Sequence, residues 1–199
     1  MPSLRQILRE KRRALTQRQQ RLAAQNLARR LACDLTFLCA QRIAFYLPND
    51  GEIDPSTMMN WCHQLKKEVY LPVMPDGLVS NRHCLFFQSF VPGKTPLVSS
   101  KFGILEPPFR MSQCIRPSML NLVLMPLVGF DRKGNRLGMG KGYYDKTFAR
   151  RESDFHRPIL IGLAHSIQET DIVPNAWDIP LDGVFTELET IYFRGPTDP

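Results

Sequence analysis

The N-terminal part of the chain places leucine and isoleucine side chains at near-helical spacing, with no proline or glycine between positions 3 and 33. Apolar residues that recur every three or four positions line one face of a helix. The pattern therefore predicts one long amphipathic helix, from residue 3 to about residue 33, as the first element of the fold. Its apolar positions are Leu4, Ile7, Leu8, Leu15, Leu22, Leu27 and Leu31.

Short apolar runs bounded by proline, glycine or polar residues follow, and they are typical of β-strands. Two helical patterns lie between them, at 55–67 and at 143–151, the first led by Asp54 and Pro55 as N-cap and first turn. This alternation predicts an α/β fold: a single domain over residues 1–199, with a largely parallel central sheet and helices on both faces. The proline-rich stretch 72–117 predicts an irregular flap or an extra hairpin. The predicted strands are 42–47, 69–72, 84–87, 121–126, 158–164 and 190–193.

Composition and charge narrow the class of protein. The chain has 199 residues, of which 43% are hydrophobic, enough for one sizeable core, and its formal charge of +7 favours anionic ligands such as nucleotides or nucleic acid. No apolar run approaches the roughly 18–20 residues of a membrane helix. The five cysteines show no CxxC pairing, which favours a reducing cytoplasm over a disulfide framework or a zinc site. The arginine-rich, serine-poor start also resembles a mitochondrial transit peptide in part.

Basic residues of the first predicted helix and one histidine are candidate site residues with two interpretations each. Arg5, Arg9 and Arg13 recur every four positions, so three guanidinium groups could converge on a phosphate chain, or they could form a solvated face. His165 follows the predicted strand 158–164 and could reach a ligand at the end of the sheet. It could equally be a hydrogen-bonded structural histidine.

Residues 129–145 concentrate the candidate chemistry. Four glycines allow positive φ and let backbone N–H groups approach an anion: Gly134, Gly138, Gly140 and Gly142. Lys141 adds a charge, a helix beginning near Tyr143 would direct its positive end to the same place, and Asp145 could bind Mg²⁺. The segment is not a Walker A motif, because its glycine spacing differs and no serine or threonine follows Lys141. A glycine-rich stretch taken alone is also typical of a flexible hairpin.

Residues 136–145 read RLGMGKGYYD and follow GFDRKGN, and this run closely resembles the signature of the 5-formyltetrahydrofolate cyclo-ligases, or methenyltetrahydrofolate synthetases. The resemblance extends over most of the chain. It implies an enzyme that uses ATP and Mg²⁺ to convert 5-formyltetrahydrofolate to 5,10-methenyltetrahydrofolate, releasing ADP and phosphate through a phosphorylated formyl group.

The resemblance also implies residue roles. Lys141 and Arg136 would be catalytic, and Arg5 and Arg9 would contact ATP. The loop residues that would bind ATP are Arg136, Leu137, Gly138, Met139, Gly140, Lys141, Gly142, Tyr143 and Tyr144. The residues that would border the folate are Leu47, Glu52, Met139, Gly140, Lys141, Gly142 and Tyr143. Magnesium would lie between Asp145 and a second acid, for which Asp178 is preferred and Asp182 competes.

Two departures from the family pattern and two other functions stay open. Many relatives carry a lysine a few residues before the position of Arg5, whereas this chain opens with Met1-Pro2-Ser3, and residues 74–117 match only patchily. We expect a monomeric cytoplasmic enzyme that acts on small molecules, with neither nucleic acid nor membrane as a partner. A nucleic-acid-binding module would explain the basic start, and a phosphotransferase of another substrate would explain the loop.

Overall fold

The computed structural model describes residues 2–74, 84–100, 103–149 and 157–193. Within them, eight strands form one sheet in the order β12-β11-β10-β7-β1-β2-β3-β6. The five central strands from β11 to β2 are parallel, and β12 and β3 pair antiparallel with their neighbours. The strands are β1 Arg42–Ala44, β2 Glu68–Val73, β3 Phe86–Ser89, β4 Val98–Ser99, β5 Leu105–Glu106, β6 Cys114–Ile115, β7 Leu122–Pro126, β8 Gly129–Phe130, β9 Arg136–Leu137, β10 Ile159–Leu163, β11 Gly183–Phe185 and β12 Thr190–Tyr192.

Helices cover both faces of this sheet, so the predicted α/β class with a largely parallel sheet is confirmed. Side chains alternate between the two faces along each strand. One face of the sheet packs against α2, α3 and α4, and the other packs against α5 and the segment that follows β7. The helices are α1 Leu4–Arg13, α2 Gln17–Ala32, α3 Leu35–Cys39, α4 Ser56–Gln64 and α5 Tyr143–Phe148.

The prediction of one continuous helix from residue 3 to about residue 33 was wrong in one respect. Two helices occupy this stretch, because Thr16 has extended backbone angles and caps α2. Its hydroxyl oxygen accepts a hydrogen bond from the Gln19 backbone N–H, and the Gln19 side chain accepts one from the Thr16 backbone N–H. This capping box satisfies backbone donors that a new helix start leaves free. The break lets α1 leave the direction of α2 and pack against the 3₁₀ turn Ser166–Gln168.

The other predicted elements are present with shifted ends. Every predicted strand has its counterpart, and helix 143–151 is described as Tyr143–Phe148, with residues 150 and 151 outside the described part. Strand β11 was not predicted, because three apolar residues between polar neighbours carry too little periodicity. The extra hairpin expected in 72–117 corresponds to the antiparallel pair β4–β5. Residues 75–83 and 101–102 of that stretch lie outside the described residues. No helix in the described ranges combines the length and the apolar character that crossing a membrane requires.

Candidate active site

The segment of residues 129–145, called the signature loop below, begins as a hairpin at the carboxyl ends of the parallel strands. Strands β8 and β9 pair antiparallel, and the carboxylate of Asp131 orders the hairpin tip. It accepts hydrogen bonds from the backbone N–H groups of Lys133 at 2.8 Å and Asn135 at 2.9 Å. The hairpin packs closely under α1, since a Cβ added to Gly129 would lie 2.8 Å from Leu8 Cδ1. The first half of the loop is therefore a fixed platform.

The second half of the signature loop is open. A Cβ added to Gly138 would meet nothing within 4 Å, and one added to Gly140 would approach only the guanidinium carbon of Arg5, at 3.9 Å. Gly140 and Gly142 have φ of +92° and +65°, values that favour glycine. Lys141 lies exposed between them. The segment from Gly138 to Gly142 thus presents backbone amides and a cation on an accessible surface, as a phosphate site requires.

Arg136 and Asp145 hold the two ends of the open segment together. Arg136 Nη2 lies 2.6 Å from Asp145 Oδ1, and the Arg136 side chain is only 6% exposed. The guanidinium also donates to the carbonyl of Ile179, and Asp145 Oδ1 accepts from the Ile179 backbone N–H at 3.1 Å. Both described bonds to Asp145 use Oδ1. The 175–182 segment is therefore anchored against the signature loop.

That anchoring separates the two candidates for the second acid. Asp178 directly precedes Ile179, so its backbone lies beside Asp145, and its own carboxylate caps a turn by accepting from Asn175 at 2.9 and 3.0 Å. Asp182 instead pairs with Arg157 and accepts from the Leu160 backbone N–H at 2.8 Å, where β10 and β11 begin. The structure thus favours Asp178, and the metal role of either acid stays a prediction. Among the described residues, no cluster of three or more Asp, Glu, His or Cys side chains could hold a metal alone.

The arginines of α1 divide between two partners. Arg5 Nε donates to the carbonyl oxygen of Gly138 at 2.9 Å and so lies against the open part of the signature loop. Arg9, Arg12 and Arg13 all contact the carboxylate of Asp50; the Arg9 and Arg12 distances are 2.7 and 2.9 Å. Arg5, Arg9 and Arg13 therefore do not share one partner in this structure: Arg5 and Arg13 are exposed, and Arg9 and Arg13 pair with Asp50.

Asp50 belongs to a tight turn, Asn49 to Glu52, that follows β1 at the same end of the sheet. The Glu52 backbone N–H donates to the Asn49 carbonyl at 3.0 Å, and Asp50 and Gly51 have φ of +55° and +77°. Positive φ at both central residues is typical of a type I′ turn. A Cβ on Gly51 would lie 3.1 Å from the Arg12 carbonyl oxygen, so the turn is pressed against α1.

Glu52 is the last residue of this turn, and its side chain lies near Arg12 of α1. Its carboxylate accepts from the Asn49 N–H at 3.1 Å and lies 3.6 Å from Arg12 Nη2. Burial raises the pKa of Glu52 to about 7, against the opposing influence of Arg12. Burial and the nearby Glu52 charge together raise the pKa values of Tyr144 and Tyr46. The Glu52 charge therefore influences Tyr144, a residue of the signature loop.

Leu47 and His165, the two remaining candidate residues, are half-buried and buried, respectively. Leu47 is half-buried and packs against the core on the α2 side of the sheet. His165 is 1% exposed, its pKa is lowered by burial, and its backbone N–H donates to Gln168 Oε1 at 2.8 Å. Its Nε2 finds no hydrogen-bond partner in the part of the chain that the structure describes. This burial favours the structural interpretation of the histidine.

The sequence assigned no role to Arg12 or Asp50, although both are central to the geometry of the site. The dipeptide Asp50-Gly51 is a strong turn signal that could have located the turn. No local signal reveals that Arg12 is buried, because an arginine on a basic helix is indistinguishable in sequence from its exposed neighbours.

The raised pKa of Glu52 predicts a pH-dependent stability in the ligand-free protein. A carboxyl whose pKa is higher in the folded chain binds its proton more tightly there, so its stabilising contribution falls as pH rises from about 4.5 to about 7. A difference of that size corresponds to at most about 3 kcal/mol. Glu52→Gln should remove this part of the pH dependence. The measurement is the free energy of unfolding in urea at pH 5 and pH 8, for the wild type and for Glu52→Gln. If that free energy changes equally between the two pH values in both proteins, the prediction is contradicted.

Known proteins resemble this chain over nearly its whole length. The profile of the 5-formyltetrahydrofolate cyclo-ligase family matches residues 1–187. A 5-formyltetrahydrofolate cyclo-ligase of Haemophilus influenzae is 35% identical over 179 residues, which span 89% of this chain and 92% of that protein. The Escherichia coli K12 protein of the same name is 35% identical over 181 residues, or 90% and 96% of the two chains. The solved 5,10-methenyltetrahydrofolate synthetase of Aquifex aeolicus superposes with a TM-score of 0.79 at 28% identity, covering 98% of this chain and 94% of its own.

Proposed function

The chain belongs to the 5-formyltetrahydrofolate cyclo-ligase family, and we propose that it converts 5-formyltetrahydrofolate to 5,10-methenyltetrahydrofolate at the expense of ATP with Mg²⁺. One observation supports this most directly: Arg5, the open signature loop and Glu52 meet at the carboxyl edge of the sheet. Arg5 donates to the Gly138 carbonyl, and Arg12 of the same helix contacts both Glu52 and the carbonyl of Leu127, just before the signature loop. A phosphate cradle and a hydrogen-bonding acid for a heterocycle are thus adjacent.

The chemistry explains why a nucleotide is needed. The formyl group on N5 is an amide, and its oxygen cannot leave as oxide. In the proposed reaction that oxygen attacks the γ-phosphorus of ATP, the bond to the β–γ bridging oxygen breaks, and ADP leaves. N10 then attacks the formyl carbon and loses its proton, the carbon–oxygen bond breaks, and inorganic phosphate departs. No protein nucleophile is required.

Each group of residues has a part in this scheme. Phosphoryl transfer needs alignment and charge neutralisation, which Lys141, Arg136, Arg5 and the amides of the open segment supply. Arg9 would also contribute positive charge near the phosphates, although its guanidinium donates to the Asp50 carboxylate. Glu52 would accept or donate hydrogen bonds at the pterin ring, bordered by Leu47 and Tyr143. Holding N10 near the activated carbon makes the second step intramolecular, which lowers the barrier through orientation.

The carboxylates fit a magnesium ion that is held largely by phosphate. Magnesium in nucleotide sites takes one or two protein carboxylates and completes its octahedron with phosphate oxygens and water. Asp145 would supply one such carboxylate at the end of the signature loop, and Asp178, which precedes the Ile179 bonded to Asp145, would supply the second. When bound, the ion would neutralise charge on the triphosphate. Asp145 would orient it, while the same carboxylate fixes Arg136.

We also infer a cytoplasmic, monomeric enzyme that acts on small molecules. All five cysteines are free, and Cys33 and Cys39 are exposed, which suits a reducing compartment. Arg9, Arg12 and Arg13 are paired with Asp50, so these three basic residues have a partner within the protein.

The assay is direct. Purified protein is mixed with ATP, Mg²⁺ and 5-formyltetrahydrofolate, and the near-ultraviolet absorbance of the methenyl product is followed with ADP release. We expect one ADP per product and no product when ATP is omitted or replaced by a non-hydrolysable analogue. With ¹⁸O in the formyl group, the label should appear in inorganic phosphate. Unlabelled phosphate would contradict the phosphorylated formyl group, and ATP hydrolysis stimulated by other hydroxylated compounds would favour a different phosphotransferase.

A further inference from the structure

We propose that Arg12 is a positioning residue: it fixes the Asn49–Glu52 turn against the start of the signature loop and thereby sets where Glu52 meets the folate. The inference rests on the proposed function for its substrate. Neither the signature nor the spacing of arginines in the first predicted helix assigns a role to Arg12.

The contacts of Arg12 join three separate parts of the site. Its side chain is fully buried, and Nε donates to the Asp50 carbonyl oxygen at 2.8 Å. Nη1 donates to the carbonyl of Leu127, two residues before the signature loop begins, at 3.2 Å. Nη2 donates to Asp50 Oδ2 at 2.9 Å and lies 3.6 Å from Glu52 Oε1. One planar guanidinium thus links the helix, the turn and the hairpin.

These bonds require arginine rather than any cation. A guanidinium directs several donors in fixed directions, whereas an ammonium group is a compact point charge on a flexible stem. The bonds are also made inside the protein, where the Asp50 carbonyl has Arg12 as its described donor, so the loss of Arg12 leaves that carbonyl unsatisfied. The Leu127 carbonyl also accepts from Gln168, and the Asp50 carboxylate also pairs with Arg9 and Arg13. The exposed Arg13 shares only the Asp50 carboxylate and does not reach Leu127 in any described contact. Arg12 thus contacts both the turn and the residue that leads into the hairpin.

Arg12 also acts on the charge of Glu52. The charged groups that face Glu52 are Arg12 and Arg9 from α1, which lower its pKa, and Asp50 from the turn, which raises it. The hydroxyls of Tyr46 and Tyr144 lie near the same carboxylate. Removing the Arg12 cation should move the titration of Glu52 to higher pH, and removing the Asp50 charge should move it to lower pH. A purely structural role predicts no such opposite shifts.

The experiment compares Arg12→Gln and Arg12→Lys with Lys67→Met as a matched control. Lys67 is another buried cation, which donates to the carbonyls of Leu38 and Ala40 away from the site. We expect Arg12→Gln to raise KM for the folate about tenfold, with less than a twofold change in KM for ATP. KM for the folate in Arg12→Lys should lie between the values for wild type and for Arg12→Gln. Lys67→Met should lower stability without raising KM for the folate relative to KM for ATP.

The Glu52 dependence is tested by a double-mutant cycle. In a Glu52→Gln background, Arg12→Gln should change KM for the folate less than twofold, because the group it positions is already altered. Additive effects, or equal changes in both KM values, would overturn the proposal. Should Arg12→Gln fail to fold, Asp50→Asn replaces it, and the expected result is a downward shift of the Glu52 limb in the pH profile of kcat/KM for the folate.

Failure of the inference can be distinguished from failure of the proposed function. A wild-type protein without ATP-dependent cyclisation refutes the function and leaves the geometry untouched. In that case the ligand-free pH dependence of unfolding still reports Glu52, and Arg12→Gln should move it to higher pH by half a unit or more. If the wild type is active and Arg12→Gln leaves the pH profile of kcat/KM for the folate unshifted, the positioning role alone is refuted.

Discussion

Replacing Lys141 by alanine is expected to lower turnover on the order of a hundredfold or more, the usual loss when one preorganised contact to developing charge is removed. Lys141 lies exposed between Gly140 and Gly142, which have no side chains to obstruct the surface beside it. In the proposed reaction this ammonium group contacts the phosphate that is being transferred. The effect should fall mainly on kcat, because charge on the transferring phosphoryl group grows towards the transition state.

Lys133→Ala is the matched control for this prediction. Lys133 is exposed on the tip of the same hairpin, and its described role is a backbone bond to Asp131 that alanine preserves. Both variants lose one positive charge, so a general electrostatic effect would appear in both. We expect Lys133→Ala to stay within about twofold of wild type. A purified Lys141→Ala enzyme with undiminished turnover would remove Lys141 from the catalytic group.

The sequence predicted the fold class well, because its strongest signals are periodic. The apolar runs 121–126 and 158–164 correspond to central strands β7 and β10, which are covered on both faces. The long N-terminal helix was a partial error, since leucine spacing continues across Thr16 and conceals the capping box that separates α1 from α2. Periodicity locates elements, whereas a hydrogen-bonded cap sets where one ends.

The site was predictable only where it is local in sequence. Residues 136–145 could be identified from their own order of glycine, lysine, tyrosine and aspartate. Arg5 contacts Gly138, and Arg12 contacts both Glu52 and Leu127, so these contacts join residues that are far apart in the chain. Such contacts depend on which strands are neighbours, and helix or strand patterns do not carry that information.

Asp145→Asn is expected to raise the Mg²⁺ concentration for half-maximal activity roughly 10- to 100-fold, at least the loss seen when even an outer partner of a metal site is removed. Asparagine keeps an oxygen that can accept from the Ile179 N–H, so the fold around the loop should persist. The substitution removes the negative charge that a hard cation prefers. The measurement is a Mg²⁺ titration at saturating ATP and folate, with binding of Mn²⁺ in the presence of ATP followed independently by magnetic resonance.

Asp145 also fixes Arg136, and the shape of that titration separates the two roles. Loss of metal binding moves the midpoint and leaves the activity at saturating Mg²⁺ largely restored. Displacement of Arg136 instead lowers activity at every Mg²⁺ concentration with an unchanged midpoint, which would contradict the metal assignment.

Asp178→Asn should move the midpoint of the Mg²⁺ titration in the same direction as Asp145→Asn, because Asp178 adjoins Ile179. Asp182→Asn should not move it, since Asp182 is paired with Arg157 where β10 begins. A shift with Asp182→Asn and none with Asp178→Asn would reverse the choice of second acid.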